Sequence, residues 1–449
     1  MDTLLDNELG SVVVSKLSRR LLPFLFLLYI VAYLDRINVG FAALQMQQRF
    51  GFSDATYGLG AGMFFAGYFF FQVPSNLVMQ RLGARRWIAV IMVLWGIISS
   101  SMVLVSTPRS FYLLRFLLGA AEAGFFPGVI LYLKMWFPVE AQARTVARFM
   151  TAGVLAGVVG GPVSGALLGL DRVFGLAGWQ WLFLVEGIPA VLLGGVVLFY
   201  LTDYPEDALW LTPEQRTWLI DTLRQERASH PAAGHTSVLA AFGGKVWFHV
   251  LLLVCVYFGA NMFAYGISLW LPKLIRSLSG VSTFVIGLLS AIPYLAAAVT
   301  MMVMGAHSDR TGERRLHVAL GAFAGALALG LAAYSSSLVL SIIGLSAALM
   351  GVWSIYGPFW AIPSSLLTGT GAAVGIAIIN SLGNLGGFFG PWIVGRVRTQ
   401  TGGFRGGLLA IGAALALSGC AALLVADSAG AAGSRALAEK TEKAFGSRP

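Results

Sequence analysis

Twelve long apolar stretches constrain this chain more than any other feature. A helix that crosses the roughly 30 Å hydrocarbon core of a bilayer needs about 20 mostly apolar residues. Stretches of about this length lie at 21–43, 57–80, 87–107, 110–133, 146–168, 181–201, 247–270, 283–306, 316–336, 340–361, 371–395 and 406–426. Only 11% of the residues are charged, which is too few to cover the surface of a soluble protein. The sequence therefore predicts an all-α membrane protein with twelve transmembrane helices.

The distribution of basic residues predicts the orientation of these helices. Loops that stay in the cytosol carry an excess of Lys and Arg. With the N-terminus inside, 20 of the 30 basic residues fall in cytosolic segments and eight fall outside. We expect an inner-membrane protein with both termini in the cytosol, including a short tail at 1–20 and another at 427–449. The net charge of +10 then reflects topology and affinity for anionic lipid, and nucleic acid is not an expected partner.

Motifs of soluble chemistry are missing from the sequence. Cys255 and Cys420 lie in separate apolar stretches and predict neither a disulfide framework nor a metal site. The chain contains no G-x-x-x-x-G-K-[ST] phosphate loop and no H-E-x-x-H motif. We therefore expect neither an enzyme nor a nucleotide-driven pump, and we expect no metal or organic cofactor.

The sequence indicates a duplicated six-helix unit. The polar segment 202–246 separates an N-terminal bundle at 21–201 from a C-terminal bundle at 247–426. A shift of 229 residues lays NLVMQRLGARR (76–86) on GAHSDRTGERR (305–315). The same shift carries Gly161 and Pro162 onto Gly390 and Pro391. Internal repeats of this kind are frequent in transporters.

The second of these loops carries a family resemblance. GAHSDRTGERR resembles the signature loop of the major facilitator superfamily, G-x-x-x-D-[RK]-x-G-x-[RK]-[RK], at every position. The first loop departs from it, with Asn76 for Gly and Gln80 for Asp. The stretches YLDRIN, YFFFQVPSNL, LLRFLLGAAEAGFFPG and INSLGNLGGFFGPW are similar to the anion:cation symporter group, which includes tartrate, phthalate and sugar-acid permeases. This resemblance implies two pseudo-symmetric six-helix bundles. We expect a monomer.

Ionisable residues inside the apolar stretches are the strongest functional signal, because each one is costly in a membrane and normally faces a cavity or a partner. Three acids qualify, Asp35, Glu122 and Glu186. Arg115 lies at a depth compatible with Asp35 and has the opposite charge, so we predict that the two residues pair in at least one state. Glu122 lies near the bilayer centre and is a candidate proton carrier; a fixed ion-pair network is the alternative. For Glu186 a structural role as hydrogen-bond acceptor is the favoured interpretation.

The candidate substrate residues come from both bundles. Arg36 points about 100° away from Asp35 on one helix and could clamp a carboxylate with its planar fork of donors. Under the shift of 229, Asp35, Arg36, Arg115 and Glu122 map onto uncharged residues, so the second bundle offers aromatic and amide groups. The resemblance implies that the positions of Asp35 and Glu122 couple protons. It also implies substrate contacts, to which we add two aromatic residues, giving Tyr33, Arg36, Tyr68, Asn380, Tyr265 and Trp360. Helix packing is the alternative for the aromatic residues.

Two further features suit a moving transporter. The second signature loop, with Gly305, Asp309, Arg310 and Gly312, predicts a latch between helices; a solvated, topology-setting loop is the alternative. The pairs Gly161-Pro162 and Gly390-Pro391 predict helix kinks, with static close packing as the alternative.

These observations together predict a proton-coupled symporter that imports a small organic anion by alternating access, with protons as the coupling ion. A tartrate-like hydroxy acid, a sugar acid and an aromatic carboxylate all remain open as substrates. Proton-antiport efflux of amphipathic compounds and a membrane receptor that does not transport are the alternative functions.

Overall fold

The described residues form sixteen α-helices. The computed structural model describes residues 2–229, 244–367 and 369–425, and none of these forms a strand. The helices are α1 (Asp2–Ile37), α2 (Val39–Phe50), α3 (Asp54–Leu82), α4 (Ala84–Ser101), α5 (Pro108–Glu122), α6 (Phe125–Trp136), α7 (Val139–Leu167), α8 (Gly178–Tyr200), α9 (Pro213–Ser229), α10 (Gly244–Leu278), α11 (Thr283–Thr311), α12 (Arg315–Ala333), α13 (Leu338–Leu366), α14 (Gly369–Asn384), α15 (Gly386–Thr401) and α16 (Arg405–Leu424).

Each of the twelve predicted stretches coincides with one helix or with two consecutive helices. Three stretches are divided: 21–43 at Asn38, 110–133 after Glu122, and 371–395 at Leu385. Within the described residues, ten segments are long and apolar enough to cross a membrane on length and composition. The other two predicted stretches correspond to α3 and to the α14–α15 pair, whose break leaves two helices of 16 residues each. The prediction of an all-α membrane protein is confirmed.

The internal repeat is visible in the helix bounds. The bounds of α3, shifted by 229 residues, are those of α11. Packing follows the same rule, because α4 packs on α8 as α12 packs on α16, and α3 packs on α5 as α11 packs on α13. We refer to α1–α8 as the N-half and to α10–α16 as the C-half.

Glycines bring the two halves into backbone contact along two equivalent seams. In the first seam α3 meets α15, and a Cβ added to Gly58 would lie 2.5 Å from the carbonyl oxygen of Pro391. In the second seam α11 meets α7, and a Cβ added to Gly287 would lie 2.2 Å from the carbonyl oxygen of Gly161. Gly58 and Gly287 are related by the 229-residue shift. Both seams lie toward the end of the molecule where α3 and α11 begin, which we call the Asp54 face.

The predicted kink positions do not interrupt their helices. α7 continues through Gly161 and Pro162, and the break at Leu385 precedes Gly390 and Pro391 rather than coinciding with them. A Cβ added to Gly390 would lie 2.1 Å from the carbonyl oxygen of Met262, so this glycine permits close packing of α15 on α10. Close packing is thus present at Gly390, and the helix kinks stay a prediction.

The described part of the central segment packs on the N-half at the opposite end of the molecule, which we call the Asp203 face. Lys16 of α1 donates to Gln215 of α9 at 3.0 Å, and Glu226 accepts from the first backbone N–H of α7 at Val139 at 3.1 Å. The segment predicted as the N-terminal tail is helical from Asp2 and continues into the first apolar stretch within α1. Residues 230–243 of the central segment and the predicted tail at 427–449 lie outside the described residues.

Candidate functional site

Asp35 is fully buried and held by neutral donors from α4. Trp95 Nε1 donates to its Oδ2 at 2.9 Å, and the Ser99 hydroxyl donates to its Oδ1 at 2.7 Å. A third donor is Asn38, whose amide lies 3.3 Å from Oδ1 at the junction between α1 and α2. Three hydrogen bonds fix the orientation of the carboxyl, but none of these partners carries a compensating charge.

Arg36 joins the two halves of the molecule. Its Nη2 forms an ion pair with Glu122 at the end of α5, and its Nη1 donates to the hydroxyl of Tyr265 on α10 at 2.9 Å. The rings of Tyr33 and Tyr68 lie 6.0 and 5.5 Å from the guanidinium carbon. Three residues predicted to bind substrate, Tyr33, Tyr68 and Tyr265, therefore surround the fourth, Arg36, whose Nε has no partner among the described residues.

Arg115 is not paired with Asp35 in this conformation. Its Nη2 donates weakly to the carbonyl oxygen of Ala61 at 3.4 Å, and its Nε and Nη1 have no partner among the described residues. Its guanidinium lies 5.1 Å from the ring of Phe64, whose ring centre is 5.3 Å from the guanidinium carbon of Arg36. The predicted pair is absent because the neutral donors of α4 occupy the Asp35 carboxylate, while Arg115 packs on an aromatic ring.

The C-half contributes a cluster of amides and aromatic rings. Asn380 Oδ1 accepts from Asn384 Nδ2 at 3.2 Å, and the Tyr356 hydroxyl donates to Asn261 Oδ1 at 3.0 Å. Asn261 Nδ2 in turn lies 3.5 Å from Asn384 Oδ1, so the three amides form one network. Trp360 packs edge-on against Tyr257, with 5.0 Å between ring centroids. Asn380 and Trp360 thus lie in one cluster, away from the Arg36 contacts.

Aromatic rings connect the Arg36 cluster to the C-half cluster. Tyr33 and Trp353 have ring centroids 6.3 Å apart, and Trp353 and Tyr356 are 5.2 Å apart. Tyr356 then lies 6.1 Å from Tyr257. The predicted substrate residues of both halves therefore belong to one continuous group of polar and aromatic side chains.

Glu186 of α8 is buried beside this group, with 4% of its surface exposed. Its Oε1 accepts from the hydroxyl of Ser164 at 2.8 Å, and its Oε2 has no partner among the described residues. Asn38, which donates to Asp35, also lies beside the Glu186 carboxyl.

The second signature loop is closed by contacts within itself. Arg314 donates to Asp309 at 2.6 Å, and Gly312 ends α11 in a left-handed conformation with φ of 69°. In this conformation Asp309 thus pairs within its own loop, and the latch between helices stays a prediction. A Cβ at Gly305 would meet no atom within 4 Å, so close approach does not explain this glycine, and Arg310 is exposed.

Glu313 takes over the helix-capping role in this loop. Its carboxylate accepts from the backbone N–H of Leu316 at 2.6 Å and from that of His317 at 3.1 Å, in the first turn of α12. Burial acts to raise the pKa of Glu313, but these hydrogen bonds and one from the His317 ring outweigh it. The pKa of Glu313 therefore lies below its ordinary value.

The first signature loop obtains its acid from elsewhere in the chain. Gln80 occupies the Asp position of the pattern and cannot supply a charge. Asp203, which follows α8, accepts from the backbone N–H of Arg85 and from its Nε, both at 3.0 Å. It thus caps the first turn of α4 and forms the ion pair that the local sequence lacks.

A second charged contact between the halves lies at the Asp54 face. Asp54, the first residue of α3, forms ion pairs with Lys273 of α10 and with Arg398 of α15, the latter at 3.1 Å. Lys273 also bonds to Gln47, and the Tyr57 hydroxyl donates to the carbonyl oxygen of Leu269 at 2.6 Å. These ion pairs and hydrogen bonds therefore hold the two halves together at the Asp54 face.

Several of the side chains that contact the predicted site residues were not predicted from the sequence. Trp95 and Ser99 lie four residues apart on α4, which places them on one helical face, but nothing in the sequence indicates that this face meets Asp35. Lys273 and Arg398 fall just beyond the predicted apolar stretches and read as loop charges. Only the structure, in which α15 packs on α3 and α10 packs on α2, shows that they share Asp54.

Comparison with known proteins places these features in a family. Residues 25–391 match the family model described as the Major Facilitator Superfamily. The chain is 47% identical over 427 residues to a protein of Agrobacterium vitis named "Putative tartrate transporter", covering 95% of this chain and 94% of that protein. It is 42% identical over 396 residues to the "Quinolone resistance transporter" of Acinetobacter baumannii, covering 88% and 91%.

Solved structures agree on the fold. The xylose transporter XylE from E. coli, in a partially occluded inward-open conformation, matches with a TM-score of 0.70 at 14% identity, covering 91% of this chain and 96% of that one. The arrangement of two six-helix bundles predicted from the sequence is therefore confirmed. The tartrate-named relative agrees with the predicted anion:cation symporter group. The chain is a multi-pass membrane transporter and not an enzyme, and it belongs to the Major Facilitator Superfamily.

Proposed function

We propose that this protein is a proton-coupled symporter that imports a small organic anion by alternating access. One observation carries the proposal: the guanidinium of Arg36 binds Glu122 of the N-half and Tyr265 of the C-half at the same time. A buried Arg that spans both halves is suited to clamp a carboxylate.

Competition for Arg36 links the proton to the anion. In this conformation Glu122 occupies the position beside the guanidinium that a substrate carboxylate needs. Protonation of Glu122 removes its negative charge and frees Nη2 for the substrate. Anion binding and proton binding then favour each other, which is the requirement for symport. Asp35, held by neutral donors, is the second proton-coupling residue in this proposal.

Membrane energetics also favour proton coupling for an imported anion. Moving one negative charge into a cell against an interior-negative potential of 100 mV costs about 2.3 kcal/mol. A proton that moves with the anion cancels this cost. The proposed cycle therefore needs no metal or organic cofactor.

The C-half cluster is suited to bind the part of the substrate that does not contact Arg36. Asn380, Asn384 and Asn261 offer amide groups that can bind hydroxyls, and Trp360 offers a ring face. The similarity to a protein named for tartrate favours a hydroxy acid or sugar acid, and the aromatic rings also fit an aromatic carboxylate.

We infer that this conformation is closed toward the outside. Among the described residues, hydrogen bonds and ion pairs join the halves from the Asp54 face inward. The deepest of these contacts is the hydrogen bond between Ser381 and Gln72. In the proposed orientation the Asp203 face, with the basic signature loops and α9, is cytosolic. The Asp309–Arg314 loop acts as a latch that changes when the halves rock. We propose a monomer in the inner membrane with both termini in the cytosol.

Transport into liposomes tests the proposal. Purified protein is reconstituted, an inward proton gradient is imposed, and uptake of labelled tartrate, aldonates, aldarates and phthalate is measured. We expect gradient-driven accumulation of at least one anion, abolished by Arg36→Ala and retained by the control Arg109→Ala, which changes an exposed arginine. Absence of gradient-driven uptake of every anion in the wild type would overturn the proposal.

Proton-antiport efflux is the second candidate. It is favoured by the 42% identity to a quinolone resistance transporter and by the aromatic rings that line the route from Tyr33 to Tyr257. In the same liposomes, proton-driven transport of a quinolone that does not change in Arg36→Ala would support it over symport.

A further inference from the structure

The buried charges of the N-half do not balance. Among the described residues, the carboxylates and guanidiniums that are at least nine-tenths buried are Asp35, Glu122, Glu186, Arg36 and Arg115. Three acids thus face two arginines. Because an ionised group without a counter-charge is costly in a low-dielectric interior, at least one of these acids is expected to carry a proton.

Glu186 is an acid that lacks a positively charged partner among the described residues. Arg36 is bound to Glu122, and no Lys or Arg among the described residues lies within 4 Å of Glu186. Its one hydrogen bond comes from the Ser164 hydroxyl at Oε1, while Oε2 is buried and has no partner in the described part of the chain. A proton on Oε2 removes the charge and leaves the contact with Ser164 unchanged.

Asn38 connects Glu186 to the Asp35 carboxyl. The Asn38 amide donates to Asp35 Oδ1 at 3.3 Å and lies beside Glu186 as well. The elements that pack against α8 here are α1, α2, α4 and α7, and the charged group they direct at Glu186 is Asp35. Ser164, which donates to Glu186, is neutral, as are Trp95 and Ser99, which donate to Asp35. Two neighbouring carboxyls that repel each other titrate as a coupled pair.

We propose that Glu186 is a proton-binding residue of the transport cycle, coupled to Asp35 through Asn38. A proton binds Oε2 of Glu186 from water when the site opens on one side of the membrane, and it returns to water on the other side. This inference rests on the proposed symport function. It assigns Glu186 one proton per transported anion, in addition to the protons carried by Asp35 and Glu122.

The coupling ratio tests the assignment. In liposomes with a fixed anion gradient, the proton gradient at which net anion flux is zero gives the number of protons moved per anion. We expect Glu186→Gln to transport with a ratio lower by one proton than the wild type. The control Glu140→Gln, at an exposed position in the first turn of α7, retains the wild-type ratio. An unchanged ratio in an active Glu186→Gln variant would overturn the assignment.

A second measurement covers the case in which Glu186→Gln does not fold. The infrared spectrum of the wild type is compared with that of Glu186→Asp, which keeps the acid. We expect a protonated-carboxyl band that shifts in the variant, and its failure to shift would overturn the proposal. If the wild type shows no gradient-driven flux at all, the symport function fails, while the infrared result still decides whether Glu186 holds a proton.

Discussion

Arg36 and Tyr265 occupy equivalent positions in the two repeats and bind each other directly. They are 229 residues apart, which is the repeat shift, and Arg36 Nη1 donates to the Tyr265 hydroxyl at 2.9 Å. Residues related by a pseudo-two-fold axis can meet only near that axis. Arg36 and Tyr265 therefore lie near the axis about which the two halves are related.

Tyr265→Phe tests the contribution of this contact. A hydrogen bond to a charged group contributes about 1.5–3 kcal/mol, so we expect loss of the hydroxyl to raise the KM for the anion by about tenfold or more. Uptake kinetics in liposomes measure the effect. Tyr112→Phe, at a half-buried position on α5, is the matched control with an unchanged KM. A Tyr265→Phe variant with the wild-type KM would exclude Tyr265 from substrate binding.

Glu122→Gln separates binding from coupling. Gln resembles the protonated acid and leaves Arg36 free at every pH, so we expect anion exchange to persist while proton-driven accumulation falls, because one proton fewer moves with each anion. Counterflow and gradient-driven uptake are measured on the same liposomes. Accumulation at the wild-type level in this variant would show that Glu122 does not carry the coupling proton.

Asp54→Asn is expected to open the Asp54 face. The variant loses the ion pairs to Lys273 and Arg398 that join the halves. Spin labels at Gln48→Cys and Arg276→Cys, both at exposed positions, report the separation in a background without the native cysteines. We expect a longer distance in Asp54→Asn and no change in Asp171→Asn, which removes an exposed acid whose contacts, with Arg172 and with the backbone N–H of Gly178, lie within the N-half. Equal distances in all three proteins would contradict a closing role for Asp54.

Gly287→Ala tests the glycine seam between α11 and α7. An added Cβ would lie 2.2 Å from the carbonyl oxygen of Gly161, so the helices must separate. Overpacking of this kind typically costs about 1–3 kcal/mol, and we expect a lower Tm in detergent. Gly195→Ala, where a Cβ meets no atom within 4 Å, is the control and should keep the wild-type Tm or exceed it slightly. A wild-type Tm in Gly287→Ala would mean that the seam is loose.

The capping role of Glu313, at the Asp203 face, predicts that the stability of the protein depends on pH. Its pKa is lower in the folded state than in the unfolded chain, so its contribution is present above the ordinary carboxyl pKa of about 4.3. This contribution is lost as the pH falls through the folded-state pKa. The Tm difference between wild type and Glu313→Gln should therefore be largest at neutral pH and vanish in acid. A difference that does not change with pH would contradict the capping role.

Much of the fold was readable from the sequence, and the pairing of its side chains was not. Length and hydropathy located the twelve stretches, and the shift of 229 residues related the halves. The rise per residue of a helix predicted similar depths in the membrane for Asp35 and Arg115. Depth alone does not determine whether two side chains meet. The rotation of α5 about its axis and the approach of α4 to α1 also decide it. The 100° between Asp35 and Arg36 did predict different partners, because that angle belongs to a single helix.

The most direct test of the central claim is a measurement of proton exchange when the anion binds. Purified protein in weak buffer, at a pH where Glu122 is ionised, is mixed with the transported anion while the pH is recorded. We predict that the wild type takes up a proton as the anion displaces Glu122 from Arg36, and that Glu122→Gln takes up one fewer. Anion binding by the wild type without proton uptake would contradict the account.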